Sequence, residues 1–194
     1  NPVEIKLPAA VLTDDVVLEI ATNGGVETPL RRGNYLERDF GNVLVMIQSR
    51  SNGCVRMINV DVPELSPLDQ HRLLLIAPFS RLENVKTEGE FPTPPAVVFG
   101  DEPEHSWCYF YQKADLARQR GDWGQIPQML KEALDAGHYP EDALEWMPFL
   151  QAYAYAGNAA RLSEIASYMT SDLPAFQQAC HTLTNSPLDP AVAE

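Results

Sequence analysis

HSWCYFYQKADLARQRGDWGQIPQMLKEALDAGHY, residues 105–139, predicts two antiparallel helices joined by a turn. In the first half, apolar side chains recur every three or four residues and predict one buried face: Trp107, Phe110, Ala114 and Ala117. In the second half, the apolar stripe is Ile126, Met129, Leu130, Ala133 and Leu134. Gly121 suits the left-handed backbone of a helix end, and Asp122 is placed to cap the next helix. Gly137 and Pro140 are expected to end that helix.

The same pattern returns downstream, where Gly157-Asn158 follows Gly121-Asp122 at a distance of 36 positions (157 minus 121). Apolar stripes on either side of it predict a third and a fourth helix, and a fifth follows Pro174. Pro148 interrupts the third helix unless that helix starts near Glu145. Two helix-turn-helix units and a closing helix are similar to tetratricopeptide repeats, although small residues are missing at several positions of that consensus.

Composition limits the class of partner. The chain has 194 residues and a formal net charge of −13, with a pI near 4.6. Nucleic-acid binding needs clustered Lys and Arg, so we expect no nucleic-acid partner. The same charge disfavours direct docking on anionic lipid.

The three cysteines, Cys54, Cys108 and Cys180, are odd in number and widely spaced. They predict neither a disulfide framework nor a zinc site, and we expect no metal and no cofactor. Three buried thiols are the favoured interpretation, and a single disulfide stays open.

The N-terminal region predicts a small β-rich or mixed domain. Two apolar runs, 42–47 and 54–60, flank Asn52-Gly53, which is a strong signal for a β-hairpin. Other short elements are expected at 10–13 (strand), 16–21 (strand or helical turn) and 80–87 (strand). A surface loop is expected at 27–38, and a short helix capped by Ser66 is expected to end at Pro78.

A proline-rich segment separates this region from the helices. Pro92, Pro94 and Pro95 favour extended polyproline II geometry, with Val97, Val98 and Phe99 pinning its far end onto the helices. We therefore predict an α+β chain with a β-rich domain (1–90), a strap (91–104), a tetratricopeptide-like helical domain of about five helices (105–186) and a tail (187–194). Two repeats are few for an independent solenoid, so we expect the β domain to pack on the helices.

One family resemblance rests on the run PEHSWCYFYQKADLARQRGDW (103–123), on Tyr139-Pro140 and on EWMPF (145–149). The segments NGCVR (52–56) and PFSR (78–81) are similar too, so the resemblance covers roughly residues 40–155. These residues resemble the C-terminal soluble region of uncharacterised bacterial multi-pass membrane proteins whose membrane part is glycosyltransferase-like. The resemblance implies a domain on the extracytoplasmic side of a membrane, and a longer parent polypeptide also fits the start at Asn1. It supplies no catalytic residue, because the membrane part is absent from this chain.

Six residues are candidates for contact with a partner: His105, Trp107, Tyr109, Tyr111, Trp123 and Trp146. The alternative is that the aromatic rings at the start of the first helix pack against the strap and the β domain. Lys113, Arg118, Arg120 and Lys131 are interpreted as a solvated helix surface.

No pattern predicts a catalytic residue. Asp14-Asp15 is interpreted as a turn or helix cap rather than an acidic site, because no further ligands stand at useful spacing. Arg31-Arg32 is interpreted as a solvated pair, with anion binding as the alternative. Cys108 beside His105 lacks an orienting carboxylate, so a nucleophile pair is disfavoured.

The chain is accordingly expected to be a non-catalytic interaction domain for a protein or peptide, which includes the membrane part of the same polypeptide. The alternative is an accessory domain that binds a glycan or lipid-linked sugar beside a membrane active site. A free-standing enzyme is a third hypothesis and would need a pocket with convergent polar groups.

Overall fold

The computed structural model describes residues 11–48, 51–58, 68–84, 96–101 and 104–185. Over these ranges the protein is α+β, as predicted, with short antiparallel strand pairs in the N-terminal part and longer helices after residue 106. The helices are α1 (Asp14–Thr22), α2 (His71–Ile76), α3 (Ala96–Phe99), α4 (Trp107–Gln119), α5 (Ile126–Asp135), α6 (Met147–Tyr155), α7 (Ala159–Met169) and α8 (Leu173–Asn185). The strands are β1 (Val26–Glu27), β2 (Leu30–Arg31), β3 (Asn34–Tyr35), β4 (Arg38–Asp39), β5 (Met46–Ile47) and β6 (Arg56–Met57).

Helices α4 to α8 share one hydrophobic core. Each packs on the next along the chain, and α6 also contacts α4 and α8. The largest side chains buried there include Phe149, Ile126, Leu150 and Met169. The predicted helix pair α4–α5 is therefore confirmed as a packed unit. The likeness of the whole set to tetratricopeptide repeats stays a prediction.

Three of these helices end in the same way. The N–H of Asp122 donates to the carbonyl of Ala117 across Gly121, whose φ is +71°, and α5 and α6 close identically at Gly137 and Gly157. Glycine is favoured there because its φ is positive and a Cβ would be strained. The predicted helix ends are confirmed at all three glycines.

The starts of α5 and α6 depend on proline and on turns. Pro127 and Pro148 each lie in a first turn, where the missing N–H costs little. A 3₁₀ turn, Ala143–Trp146, precedes α6, so Pro148 begins a helix rather than breaking one. The predicted cap at Asp122 is wrong: α5 starts only after Gln125, and the Asp122 carboxylate accepts a hydrogen bond from the Gln125 amide.

The N-terminal part has a small core of its own. Val17 and Ile20 of α1 pack with Leu73 and Ile76 of α2. Strand β1 pairs with β4, β2 with β3, and β5 with β6, all antiparallel. The hairpin predicted around Asn52-Gly53 is confirmed as the β5–β6 pair.

Several local predictions in this part are wrong. Residues 11–13 form no strand, and Thr13 instead caps α1, whose first turn holds Asp14 and Asp15. Residues 27–38 hold strands β2 and β3 rather than a loop, because Arg32-Gly33 forms a tight turn. Residues 82–84 form a 3₁₀ turn, and Met46 is exposed although its run is apolar.

The described part of the strap is helical rather than extended. Residues 96–99 form helix α3, and Val97 and Val98 are 94% and 70% exposed, so they do not pin the segment onto the helices. The proposed cap Ser66, the three prolines of the strap, the side chain of Phe99 and the tail 187–194 lie outside what the structure describes.

Candidate functional site

A disulfide joins the two parts of the chain. Cys54, just before β6, is bonded to Cys108 in the first turn of α4, with their Cα atoms 5.2 Å apart. The favoured prediction of three buried thiols is therefore wrong, and the remaining thiol, Cys180, is exposed. The spacing of 54 residues carries no sign of this pairing, because only the packing of β6 on α4 brings the two residues together. A nucleophilic role for Cys108 beside His105 is excluded in this state.

Polar contacts accompany the disulfide. The N–H of Cys54 donates to Glu145 Oε1 at 2.5 Å, and the Gln112 amide donates to the Val55 carbonyl at 3.4 Å. Burial raises the pKa of the Glu145 carboxyl, and the bond from the Cys54 N–H opposes that rise. The segment just before β6 thus contacts α4 and the turn before α6. Packing of the whole β domain on the helices stays a prediction.

A buried polar cluster lies beside this junction. Arg118 Nη2 donates to Asp115 Oδ1 at 2.6 Å, and the Gln119 amide donates to Asp115 Oδ2 at 2.9 Å. Arg56 of β6 pairs with Asp69 at 3.5 Å, and Gln178 of α8 donates to the same Asp69 at 2.8 Å.

Arg118 is only 4% exposed, so its interpretation as part of a solvated surface is wrong. Burial raises the pKa of Asp115 to about 6 and lowers the pKa of Arg118 to about 9. Burial likewise raises the pKa of Tyr111. The cavity among these groups is about 10 Å³ and holds at most a water molecule, so the cluster links elements rather than forming a substrate site.

Three of the six predicted site residues belong to the helical core. Trp107 and Trp146 are each 5% exposed, with ring centroids 5.3 Å apart, and Tyr111 is 3% exposed. Trp107 also packs against Phe149. Trp107 and Tyr111 are therefore packing residues in this structure.

The other three lie in two separate places. The rings of His105 and Tyr109 are stacked at the exposed start of α4, with centroids 3.5 Å apart, and Lys113 lies over the Tyr109 ring. Trp123, half-buried in the α4–α5 turn, stacks on Tyr155 of α6. The six residues do not form one surface.

A groove of about 600 Å³ lies between α5, the turn before α6, and α7. Its deep part is apolar, lined by Leu130, Ile165 and Trp146, each no more than 5% exposed. The ring of Tyr168 stacks on Trp146 with centroids 5.2 Å apart and stays 50% exposed. Of the six predicted residues, only Trp146 lines this groove.

Each helical wall of the groove carries an ion pair. On α5, Lys131 Nζ lies 2.5 Å from Asp135 Oδ2, and on α7, Arg161 Nη1 lies 2.7 Å from Glu164 Oε2. Hydrogen bonds to these carboxylates raise the pKa values of Lys131 and Arg161. The Tyr168 hydroxyl lies 3.4 Å from Glu164.

Sequence reasoning missed this groove. The i, i+4 spacing of Lys131 and Asp135 and the i, i+3 spacing of Arg161 and Glu164 were visible, but such pairs are common on any exposed helix. No signal in the sequence tells how far apart α5 and α7 lie.

The described residues hold no group of three or more His, Cys, Asp or Glu placed to bind a metal ion. Within the same ranges, no helix has the length and apolar character needed to cross a membrane.

Comparison of the chain with protein-family models, with curated proteins and with solved structures gives no match. The family resemblance drawn from roughly residues 40–155 therefore stays a prediction.

Proposed function

We propose that this chain is a non-catalytic interaction domain on the extracytoplasmic face of a bacterial membrane, and that the groove between α5, α6 and α7 binds an extended peptide segment of a partner protein. The groove is the observation that carries this proposal. A volume of about 600 Å³ lies within the usual range for ligand pockets. Stacked helices are a common scaffold for such peptide grooves.

The chemistry of the groove defines the partner. The half-exposed ring of Tyr168 offers a flat apolar platform for one side chain of the peptide. The pairs Lys131–Asp135 and Arg161–Glu164 present both signs of charge on opposite walls. Such walls favour a segment that carries both acidic and basic side chains around an apolar residue. Each charged side chain of the groove can then exchange its intramolecular partner for an oppositely charged side chain of the peptide.

The non-catalytic assignment is supported by the exposure and pairing of the two carboxylates in the groove, Asp135 and Glu164. Both groove carboxylates are exposed and already hydrogen-bonded to a basic side chain. Catalytic acids and bases typically lie in a cleft where burial and a charged neighbour shift their pKa, and neither of these carboxylates is buried. The buried, strongly perturbed pair Asp115–Arg118 lies outside the groove and has no cavity for a substrate.

The extracytoplasmic location is supported by the disulfide. Cysteine pairs persist mainly in oxidising compartments and are rare in the bacterial cytoplasm. Cys54–Cys108 joins a residue of the N-terminal part to α4, and both cysteines pack at the helical core.

A selection of random dodecapeptides displayed on phage against the oxidised protein tests the binding role. Peptides that bind in the groove should bind the Tyr168→Ala variant about tenfold or more weakly, since truncation of a central aromatic contact has that effect. Tyr139→Ala is the matched control, because Tyr139 is similarly exposed but does not line the groove. Selected peptides that bind Tyr168→Ala as tightly as wild type, or no enrichment at all, would overturn the proposal.

Fractionation of the source cells tests the location. A membrane-bound polypeptide much heavier than 21.6 kDa, cleaved by protease added to spheroplasts, is expected. A cytoplasmic product near that mass would reject the membrane role.

The stack of Tyr168 on Trp146 favours a second candidate, accessory binding of a glycan or lipid-linked sugar beside a membrane glycosyltransferase. A flat ring flanked by the planar groups of Glu164 and Arg161 suits a sugar face as well as a peptide. Binding of soluble oligosaccharides that is lost in Tyr168→Ala would support this candidate. Trp107→Ala and Tyr111→Ala would not test it, because both rings are buried and their loss would damage the core.

A further inference from the structure

The β2–β3 hairpin is the most exposed ordered element of the N-terminal part. Residues 30 to 37 are all exposed, including Leu30 (59%), Tyr35 (78%) and Leu36 (47%). Large apolar side chains concentrated in so short a segment usually mark a contact surface.

The register of the hairpin decides which side chains lie on the same face. Leu30 pairs with Tyr35 and Arg31 with Asn34, so the two larger apolar side chains are neighbours on one face. The turn is Arg32-Gly33, with positive φ at both positions, as a type I′ hairpin turn requires. Arg32 therefore lies in the turn, and Arg31 lies next to it on the face opposite Leu30 and Tyr35.

The base of the hairpin is held in place. The backbone N–H and the hydroxyl of Thr28 both donate to Glu19 of α1, at 2.9 and 3.0 Å. After the hairpin, Arg38 pairs with Glu27 at 3.4 Å. The tip thus projects from anchored residues.

Charge at the tip is opposite to that of the whole chain. Residues 30–36 contain Arg31 and Arg32 and no acidic residue, Glu37 follows directly, and the chain as a whole carries −13. Neither arginine has an ion-pair partner within the described ranges.

We propose that the β2–β3 hairpin docks on the surface of an anionic lipid bilayer, with Leu30 and Tyr35 in the headgroup region and Arg31 and Arg32 on lipid phosphates. Tyrosine and leucine enter this interfacial layer readily, and arginine binds phosphate through two parallel hydrogen bonds. The remaining negative charge opposes docking only weakly, because at physiological salt the Debye length is about 8 Å and the hairpin alone meets the surface. A short hairpin tip is small enough to enter the headgroup layer of a bilayer. A stable interface with a protein needs a broader contact surface.

This proposal uses no residue of the groove and does not rest on the proposed function. Its failure would leave peptide binding untouched, since the groove is built only from residues 124–168.

Sedimentation with vesicles tests the proposal on the full oxidised chain. Vesicles of equal parts phosphatidylglycerol and phosphatidylcholine should bind the protein at 0.15 M salt, and pure phosphatidylcholine vesicles should bind it at least tenfold more weakly. The variant Arg31→Gln/Arg32→Asn should lose about tenfold or more in partition onto the anionic vesicles. Asn is chosen for position 32 because it tolerates the left-handed backbone there. Leu30→Ser/Tyr35→Ser should show a similar loss.

Lys113→Gln/Arg120→Gln is the matched control, since it removes the same charge from exposed positions of α4. Circular dichroism checks that each variant keeps its fold. Three outcomes overturn the proposal: no binding of wild type to anionic vesicles, equal binding by the Arg31/Arg32 variant, or an equal loss in the control. A hairpin that instead captures an acidic protein would show the first of these.

Discussion

Cys54 and Cys108 are bonded to each other across 54 positions of sequence, with their Cα atoms 5.2 Å apart. One of them lies just before β6 and the other in the first turn of α4. The N–H of Cys54 also donates to Glu145, so covalent and hydrogen bonds meet at one junction between the hairpin and the helices.

Removal of the disulfide should destabilise the protein strongly. A disulfide that closes a loop of this length lowers the conformational entropy of the unfolded chain. Its removal should therefore lower the free energy of unfolding by about 4 kcal/mol, and measured losses typically fall between about 2 and 4 kcal/mol. Urea unfolding of Cys54→Ala/Cys108→Ala against wild type measures the effect. A loss below about 1 kcal/mol would contradict a structural role for the bond.

Cys180→Ala is the matched control for that experiment. Cys180 is exposed and lies outside the disulfide, so its replacement should change the free energy of unfolding by no more than about 0.5 kcal/mol. Thiol titration of the unreduced, denatured wild type should find the thiol of Cys180 and no second one. Three thiols under oxidising conditions would refute the pairing.

Replacement of Arg118 should be costly although the side chain is charged and on a helix. Arg118→Met leaves the buried Asp115 carboxylate without its partner at 2.6 Å, which should cost about 3 to 5 kcal/mol at pH 7.5. The exposed neighbour provides the control, because even a paired arginine at the surface contributes little, so Arg120→Met should cost no more than about 1 kcal/mol. Asp115→Asn combined with Arg118→Met should recover much of the loss. Equal small effects at both arginines would show that Arg118 is solvated.

Asp115 should give the protein a pH dependence of a particular sign. Burial raises its pKa in the folded state to about 6, above its ordinary 3.8, so the native state holds the proton more tightly than the unfolded state. The stabilisation is present below about pH 4 and is lost as the pH rises through 6, with a total on the order of 2 to 3 kcal/mol.

The variant Asp115→Asn isolates this effect, because asparagine does not titrate and Arg118 stays charged over this range in wild type. The free energy of unfolding of wild type minus that of the variant should fall between pH 4 and pH 7 and stay flat up to pH 8. A difference that rises with pH would mean that the ion pair to Arg118 outweighs the burial of Asp115.

Two glycines of the α4–α5 connection should respond differently to alanine. Gly121 has φ of +71°, and a Cβ there would meet nothing within 4 Å, so Gly121→Ala should cost about 1 kcal/mol from backbone strain alone. Gly124 also has open space, but its φ is not positive, so Gly124→Ala should be neutral or slightly stabilising. Thermal unfolding of both variants compares them directly. The same melting temperature for the two would contradict the left-handed closure of α4.

Much of the helical half could be predicted because its signals are local. The apolar stripes of α4 and α5 follow from spacing, and the ends at Gly121 and Gly157 follow from the backbone that glycine allows. The N-terminal half was harder, since strands of two residues leave no measurable alternation. The turn at Arg32-Gly33 carries a non-glycine residue at positive φ, which a propensity argument does not anticipate.

The candidate site could not be predicted in the same way. Aromatic residues were correctly seen as concentrated at the start of α4, but spacing on one helix does not tell whether a ring faces the core or the solvent. Trp107 is buried because Trp146 and Phe149 arrive from a distant segment. Tyr168 was not singled out, since its role depends on α5 lying across the groove from α7.

The sequence by itself determined the α+β class, the ends of α4, α5 and α6 at their glycines and the hairpin at Asn52-Gly53, because each depends on interactions between residues close in the chain. Tertiary structure alone decided the pairing of Cys54 with Cys108, the burial of Arg118 against Asp115 and the groove between α5 and α7. Those features join residues from different elements. Their distances are set by how whole helices and hairpins pack, and a one-dimensional pattern does not contain that arrangement.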